Sequence, residues 1–240
     1  MTSNQYDKPP EMAIDTAKNY QAIIEMEKGG TITIDLLAKE APVTVNNFVF
    51  LAKDGYYDGI TFHRVIPGFM AQSGDPLGNG TGGSGKNLKA EFSDYRFTSG
   101  TVGMARAMDP NSADSQFFIC FADSSFLDGQ YTVWGQVVEG MEHMDKITRG
   151  AEATGAVANP DYMLKVRVGS DLVLRVDDNA SAGGDGSSWA KAYDNLSAAL
   201  DAAGAGFEIW VAEGSYVLDG SLSSRLKNAV QFFGGFRGTE

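Results

Sequence analysis

One stretch of sequence decides the fold: Phe62-His-Arg-Val-Ile-Pro-Gly-Phe-Met-Ala-Gln-Ser-Gly-Asp75. Its middle, Pro67-Gly68, is a dipeptide typical of a turn, and apolar residues predominate on both sides of it. The stretch therefore predicts two short strands joined by that turn. If the strands pair, Arg64 and Gln72 come together beside large apolar side chains, which would make an apolar hollow with a cation and an amide at its edge. An ordinary hairpin with an exposed arginine has the same spacing, so spacing alone leaves both interpretations open.

Further strand-like segments lie on both sides of this hairpin. They alternate apolar and polar residues or form short apolar runs, as strands do. These segments are Tyr20–Glu27, Thr31–Leu37, Thr61–Val65, Val102–Ala105, Gln116–Phe121, Thr132–Val138 and Met163–Val168. Helical spacing from Pro42 to Gly55 predicts one helix, and Met141–Thr148 predicts a shorter one. Many short strands with few helices favour a mainly β fold in the form of a closed antiparallel barrel.

The composition argues against several classes of protein. The 240 residues include 31 acidic and 19 basic ones, with a formal net charge of −12, which argues against a surface that binds nucleic acid. No run of about 18 apolar residues is present, so no membrane-spanning helix is predicted. The one cysteine, Cys120, cannot form an internal disulfide. The first residues lack a basic segment followed by an apolar one, so no secretory signal is predicted and a cytoplasmic location is the default expectation.

Metal or nucleophilic chemistry finds little support in the sequence. The two histidines, His63 and His143, are far apart and there is no second cysteine, so no metal site or cofactor is predicted. The glycine-rich stretch 78–85 lacks the Lys-Ser/Thr end of a nucleotide-binding loop, and we expect a flexible surface loop there. A nucleophile pair of Cys120 and His63 is conceivable. However, Cys120 lies within an apolar run, where cysteine is usually a small core residue.

Four segments together resemble the motifs of the cyclophilins, which are peptidyl-prolyl cis-trans isomerases. The segments are 62–75, Asn79–Gly83, Ser115–Cys120 and Phe126–Gly129, and they come in the family's order. The resemblance covers residues 20–168. It implies an eight-stranded antiparallel barrel capped by two helices. It also implies a groove on the outer face that binds proline-containing polypeptides and isomerises X-Pro bonds without a cofactor, assisting protein folding.

The resemblance assigns roles to individual residues. It implies that Arg64 is catalytic and that Gln72 binds the substrate backbone. The other substrate-binding positions that it implies are Phe69, Met70, Gly80, Ala105, Arg106, Ala107, Gln116, Phe118, Phe126, Leu127 and Tyr131.

Three of these positions depart from the pattern that is frequent in the family. Arg106 stands between two alanines where asparagine is frequent, and its charge is expected to favour acidic residues ahead of the proline. Phe126 stands where tryptophan is frequent, and Tyr131 where histidine is frequent. The resemblance therefore implies catalysis but only weak binding of cyclosporin, because phenylalanine cannot supply an indole N–H donor.

The chain changes character after residue 168. Small and polar residues in 169–188 predict a linker. Three later segments resemble the opening of right-handed parallel β-helix proteins, many of which are secreted or lie on the cell surface. These segments are 176–189, 208–216 and 233–240. We therefore expect a polar, irregular extension over 1–19, an isomerase domain over 20–168, a linker over 169–188, and a small α/β or β-helix-like segment over 189–240.

Two other functions fit parts of the sequence. A non-catalytic module that binds proline peptides could have the same fold, although the intact set that includes Arg64, Gln72 and Phe118 argues against it. A cell-surface binding protein could instead act through the C-terminal segment, with the barrel as an accessory. That function would place the protein in the cell envelope or outside the cell.

Overall fold

The computed structural model describes residues 5–170, 173–184, 186, 189–203, 207–217 and 231–238. The chain divides into two compact units between residues 170 and 171. The described strands of the first unit are β1 (Tyr20–Met26), β2 (Thr31–Leu36), β3 (Arg64–Ile66), β4 (Met70–Ser73), β5 (Thr101–Met104), β6 (Phe117–Cys120), β7 (Val133–Glu139) and β8 (Met163–Ser170). Its α-helices are α1 (Pro42–Lys53) and α2 (Met141–Met144), and short 3-10 helices lie at Pro110–Ser112 and Ser125–Leu127. The predominance of strands confirms the mainly β fold.

The eight strands form one curled antiparallel sheet in the order β3-β4-β6-β5-β7-β2-β1-β8. The prediction of a closed barrel is wrong, because no ladder joins the end strands β3 and β8 in the described part of the chain. Only local contacts bridge them, such as an isolated bridge between Thr61 and Tyr162 and the Phe62 amide that donates to the Asp161 carbonyl at 2.8 Å. The irregular chain before β3 and before β8 explains the gap, because a ladder needs two extended strands.

Helix α1 covers part of the sheet and begins without a capping side chain of its own. Ala41, which precedes it, has no side-chain acceptor. The Glu91 carboxylate takes that role and accepts hydrogen bonds from the Val43 and Thr44 amides at 2.9 and 2.8 Å. A negative charge at this end also complements the helix dipole. Gly55, with φ +72°, ends the helix in the left-handed conformation that glycine favours. None of the helices in the described ranges is long and apolar enough to span a bilayer.

Strand β6 separates two apolar clusters because successive side chains of a strand point to opposite faces. Phe117 and Ile119 belong to the main core, which includes Trp134 of β7. Phe118 and Cys120 belong to a smaller cluster on the other face, with Met70, Phe97, Leu127 and Val133. Gly103 of β5 allows this second cluster to pack closely, since a Cβ there would lie 2.6 Å from the Phe118 ring. The second cluster supports the site described below.

Residues 5–19 form neither helix nor strand, yet they are attached to α1 at defined points. Asn46 of α1 donates to the Glu11 carbonyl at 3.0 Å and accepts from the Ala13 and Ile14 amides at 2.8 and 3.3 Å. Ile14 is buried in the main core. Near the other end, the Tyr6 hydroxyl donates to the Asp54 carboxylate at 2.6 Å. The irregular segment expected from the sequence is therefore packed along the helix.

The second unit contains a small parallel sheet, one α-helix and a short 3-10 helix, Trp189–Lys191, among its described residues. The strands are β9 (Val173–Val176), β10 (Glu208–Ala212) and β11 (Gln231–Phe236), in the sheet order β11-β10-β9, and the helix is α3 (Leu196–Ala202). Asn195 caps α3 by accepting from the Ala198 amide at 2.8 Å. Strand β9 lies within residues 169–188, where the sequence predicted a linker. The apolar run around Leu174 explains this strand, because it packs with Leu200 and Ile209 in the core of the second unit.

Candidate active site

Arg64 is held at the exposed edge strand of the sheet. It lies opposite Gln72 in the β3–β4 pair, as the predicted hairpin requires. The guanidinium donates from Nη1 to the Gln72 side-chain oxygen at 3.2 Å and from Nε to the Thr154 carbonyl at 3.1 Å. Two hydrogen bonds from different elements fix the plane of the guanidinium, and three of its five N–H groups are left for other acceptors. This arrangement resolves the two interpretations of the hairpin in favour of a positioned cation.

A chain of side-chain amides continues from Arg64. Gln72 Nε2 donates to the Gln116 side-chain oxygen at 2.9 Å. Gln116 Nε2 in turn donates to the carbonyls of Gly80 and Gly82 at 3.1 and 2.8 Å. Each amide uses its oxygen toward one neighbour and its nitrogen toward the next, so the guanidinium fixes the orientation of the whole chain. The structure thereby connects four of the positions that the sequence singled out.

An apolar cavity of about 280 Å³ opens beside Arg64. Met70, Phe118 and Leu127 form a buried floor that rests on the second apolar cluster. The Phe118 ring meets the Tyr131 ring edge-on, with centroids 5.8 Å apart. The complete lining is Arg64, Phe69, Met70, Gln72, Ala105, Arg106, Phe118, Phe126, Leu127 and Tyr131. The cavity therefore combines an apolar floor with a cation and an amide at its edge.

Two aromatic side chains form the outer rim of this cavity. Phe69 and Phe126 lie with ring centroids 5.3 Å apart. Phe126 is 64% exposed, whereas Phe118 on the floor is 5% exposed. A ligand ring that enters the cavity would cover the exposed face of Phe126 and gain the burial of apolar surface, about 25 cal/mol per Å².

Arg106 forms the wall between this cavity and a second one. Its guanidinium lies 4.4 Å from the centre of the Tyr131 ring, close enough for a cation–π contact. It also donates to the Gln130 carbonyl at 2.9 and 3.2 Å and to the carbonyls of Ala107 and Met108 at 2.9 and 3.3 Å. The side chain is thus bound mainly to the protein's own backbone. The preference for acidic residues expected from its charge stays a prediction.

The second cavity, of about 550 Å³, adjoins the first at Gln72, Ala105 and Arg106. Its lining is more polar and includes the three predicted positions that the first cavity lacks, Gly80, Ala107 and Gln116. All the site residues named from the sequence therefore line one of two adjacent cavities. The lining residues that sequence reasoning missed are Gln5, Leu77, Thr81, Gly82, Gly83, Gly85, Asn87, Ser112 and Asp114.

Two carboxylates hold the glycine-rich loop over 78–85, which the sequence predicted as a flexible surface loop. Asp75 is buried and accepts from the amides of Leu77 and Gly80 at 2.8 and 2.6 Å. Burial alone would raise the pKa of Asp75, but these backbone amides and those of Asn79 and Gly82 lower it below its usual value. Asp114 accepts from the Gly85 amide at 2.8 Å. The loop is therefore shaped by charge-assisted hydrogen bonds, and Asp75 and Asp114 were the signal available in the sequence.

Comparison with known proteins agrees with this geometry. The family model described as cyclophilin type peptidyl-prolyl cis-trans isomerase/CLD matches residues 22–168. A probable peptidyl-prolyl cis-trans isomerase of Brucella suis is 51% identical over 157 residues, which cover 60% of this chain and 80% of that protein. A peptidyl-prolyl cis-trans isomerase of Synechococcus elongatus is 45% identical over 151 residues, covering 63% of this chain and 97% of the relative. The chain belongs to the cyclophilin family.

Solved structures place this cyclophilin among the same enzymes. A cyclophilin type peptidyl-prolyl cis-trans isomerase of Cryptosporidium parvum superposes with a TM-score of 0.59 at 27% identity, covering 63% of this chain and 98% of that chain. A second structure of that protein, determined in the presence of the dipeptide Ala-Pro, has a TM-score of 0.58 at 27% identity over 62% of this chain and 99% of that one. The chain is a peptidyl-prolyl cis-trans isomerase, and cyclophilins bind proline-containing peptides.

Cys120 and His63 do not provide nucleophilic chemistry in this cyclophilin. Cys120 lies buried in the second apolar cluster, where burial raises the pKa of its thiol to about 11. Very little thiolate is therefore present near neutral pH, and the thiolate is the reactive form. His63 is also buried, and burial lowers the pKa of its imidazole. These positions agree with the core role that the sequence favoured for the cysteine.

Proposed function

We propose that this isomerase twists X-Pro bonds of unfolded or extended polypeptides in the apolar cavity beside Arg64. The observation that carries the proposal is the guanidinium fixed by Gln72 and Thr154 at the edge of an apolar cavity. The reaction is a rotation about a partial double bond with a barrier of roughly 18–20 kcal/mol. No covalent bond breaks, so a nucleophile or a cofactor is not needed.

Arg64 supplies the interaction that favours the twisted bond. As the imide twists, its nitrogen recovers a lone pair and becomes a hydrogen-bond acceptor. Arg64 has N–H donors beyond the two that hold it in place, and arginine stays protonated at any working pH. A donor to this nitrogen binds the twisted state and not the planar one, which is the condition for lowering the barrier. We therefore assign Arg64 as the catalytic residue.

Different groups of the cavity hold the two sides of the X-Pro bond. Phe69, Met70 and Phe118 take the proline ring into a site that excludes water. The Gln72 amide and the backbone at Arg106 hold the residue before the proline. The ring then stays fixed while the carbonyl side rotates, and each lowering of the barrier by about 1.4 kcal/mol increases the rate tenfold.

Exchange NMR with a proline tetrapeptide tests this proposal against the non-catalytic alternative. We expect the protein to accelerate cis–trans exchange, which takes tens to hundreds of seconds without catalyst. We also expect peptide-induced shifts in amide resonances around Arg64, Gln72 and Phe118. The same peptide with alanine in place of proline is the control and should cause neither effect. Binding without faster exchange would favour the binding module, and shifts elsewhere would contradict the site.

We further propose that the chain after the isomerase domain of 20–168 forms the opening of a parallel β-helix-like segment, which begins with β9 inside the predicted linker of 169–188 and continues through 189–240. The support is that β9, β10 and β11 stack in chain order and in parallel, as successive turns of such a fold do. Its apolar core includes Val176, Leu200 and Ile209. Since every residue assigned to the isomerase site lies between Arg64 and Tyr131, the segment has no part in the reaction.

A further inference from the structure

The N-terminal extension reaches the second cavity. Gln5 lines that cavity, although it lies 75 positions before Gly80 in the sequence. Its side-chain Nε2 donates to the Gly83 carbonyl at 2.7 Å, and the next residue donates its amide to the Ser84 carbonyl at 3.0 Å. Consecutive residues of the extension therefore bind consecutive residues of the glycine-rich loop. Gly85 leaves room for this contact, since a Cβ there would lie 2.5 Å from Gln5 Oε1.

Tyr6 anchors this contact to the body of the domain. Its ring lies 5.3 Å from the Phe50 ring in an edge-on arrangement and 6.2 Å from the Tyr56 ring. Its hydroxyl donates to Asp54, which follows the last residue of α1, at 2.6 Å. A half-buried aromatic ring with a hydrogen bond to a carboxylate is a firm attachment for an otherwise irregular segment. The position of Gln5 is thus set by packing on α1 as well as by the loop.

We infer that Gln5, held in place by Tyr6, forms a specificity-determining wall of the second cavity, which acts on the substrate residues that precede the X-Pro pair. This inference rests on the proposed function. In the proposed function, the Gln72 amide and the backbone at Arg106 hold the residue before the proline. The two cavities meet at these same residues, so the chain on the amino-terminal side of that residue continues into the second cavity.

The chemistry of the second cavity indicates what it accepts. Amide, hydroxyl and backbone groups dominate its lining. The two charged lining residues already have partners, since Arg106 donates to backbone carbonyls and Asp114 accepts from Ser84 and Gly85. Gln5 adds a further amide with one acceptor oxygen and two N–H donors, one of which is used by the Gly83 carbonyl. The wall therefore favours substrates with a hydrogen-bonding side chain ahead of the X-Pro pair.

Two peptides and three variants test this inference. One peptide is blocked directly before the X-Pro pair, and the other carries three additional residues on the amino-terminal side, glutamine among them. The variants are Gln5→Ala, which removes the wall amide, Tyr6→Ala, which removes the anchor, and Lys8→Ala as a control. Lys8 belongs to the same extension but is exposed, pairs with Glu11, and does not line the second cavity.

We expect KM for the long peptide to rise about three- to tenfold in Gln5→Ala and Tyr6→Ala, the size of one or two lost hydrogen bonds. The kcat for the long peptide, and both kcat and KM for the short peptide, should stay within about twofold of the wild-type values. Lys8→Ala should match the wild type with both peptides. Gln5 is exposed, so Gln5→Ala tests the wall even if Tyr6→Ala lowers stability. An unchanged KM for the long peptide in Gln5→Ala, or an equal loss with both peptides, would overturn the inference. Failure of the proposed function would appear separately, as a lack of turnover of the short peptide by the wild type.

Discussion

Replacement of Arg64 by alanine removes the cation that we propose meets the imide nitrogen at the edge of the apolar cavity. In the wild type, the guanidinium is held by the Thr154 carbonyl at 3.1 Å and the Gln72 side-chain oxygen at 3.2 Å. In Arg64→Ala both hydrogen bonds are lost, while the cavity floor around Phe118 is untouched. The substitution therefore separates stabilisation of the twisted bond from binding of the proline ring.

The expected loss of activity is large and the expected loss of stability is small. A preorganised donor to charge that develops in the transition state contributes roughly 2.7–4 kcal/mol, so kcat/KM should fall roughly 100- to 1000-fold. The two hydrogen bonds that hold Arg64 contribute at most about 0.5–1.5 kcal/mol each. Because Arg64 is only half-buried, water can replace part of that contribution. A domain typically has about 5–15 kcal/mol of stability, so Arg64→Ala should remain folded.

The assay is cis–trans exchange of a proline tetrapeptide, monitored by NMR. Peptide affinity and thermal unfolding are measured on the same variants. Arg64→Lys is the informative companion, since lysine keeps the charge but lacks the planar fork that bonds Thr154 and Gln72 together. It should recover only a small part of the lost activity. Arg96→Ala is the matched control, because Arg96 is exposed and pairs with Asp128 outside both cavities. A folded Arg64→Ala protein with activity within about threefold of wild type would refute the assignment.

Three further results are expected. Cyclosporin should inhibit the wild-type isomerase only weakly, and the Phe126→Trp variant should bind it more tightly, because the indole N–H supplies a missing donor. Low-nanomolar inhibition of the wild type would contradict this prediction. Residues 1–170 alone should keep full activity, and limited proteolysis should cut first within 169–188, in the exposed loop after β9, to leave an active fragment that ends in that loop. Loss of activity on removal of the second unit would show that the two units function together. Burial lowers the pKa of His63 below 6.5, so the unfolded chain binds the proton first and stability should fall as pH decreases through 6.5. The free energy of unfolding, measured from pH 7.5 to 5, should depend less steeply on pH in His63→Gln than in the control His143→Gln. Equal slopes would show that His63 is not the source of the pH dependence.

Local patterns in the sequence predicted the strands and the hairpin well because they depend on near neighbours. The turn at Pro67-Gly68 and the apolar residues around it are sufficient to pair β3 with β4, and pairing alone brings Arg64 opposite Gln72. Alternation along β6 likewise directs Phe118 away from the main core. The closure of the sheet was predicted wrongly, because it depends on how β3 and β8 meet, and these strands are distant in the chain.

The resemblance to the family, carried by four short segments whose order the sequence displays directly, was enough to select every residue that lines the first cavity, but only some of those that line the second. What the tertiary structure alone decided is how those residues are held. The Thr154 carbonyl that orients Arg64 is a backbone group, and any residue type would provide it. Gln5 comes from a segment without periodicity and is held at the second cavity by the packing of Tyr6 on α1 and by hydrogen bonds to the glycine-rich loop. Contacts made by backbone groups or between distant segments leave no local pattern, so only the folded chain shows them.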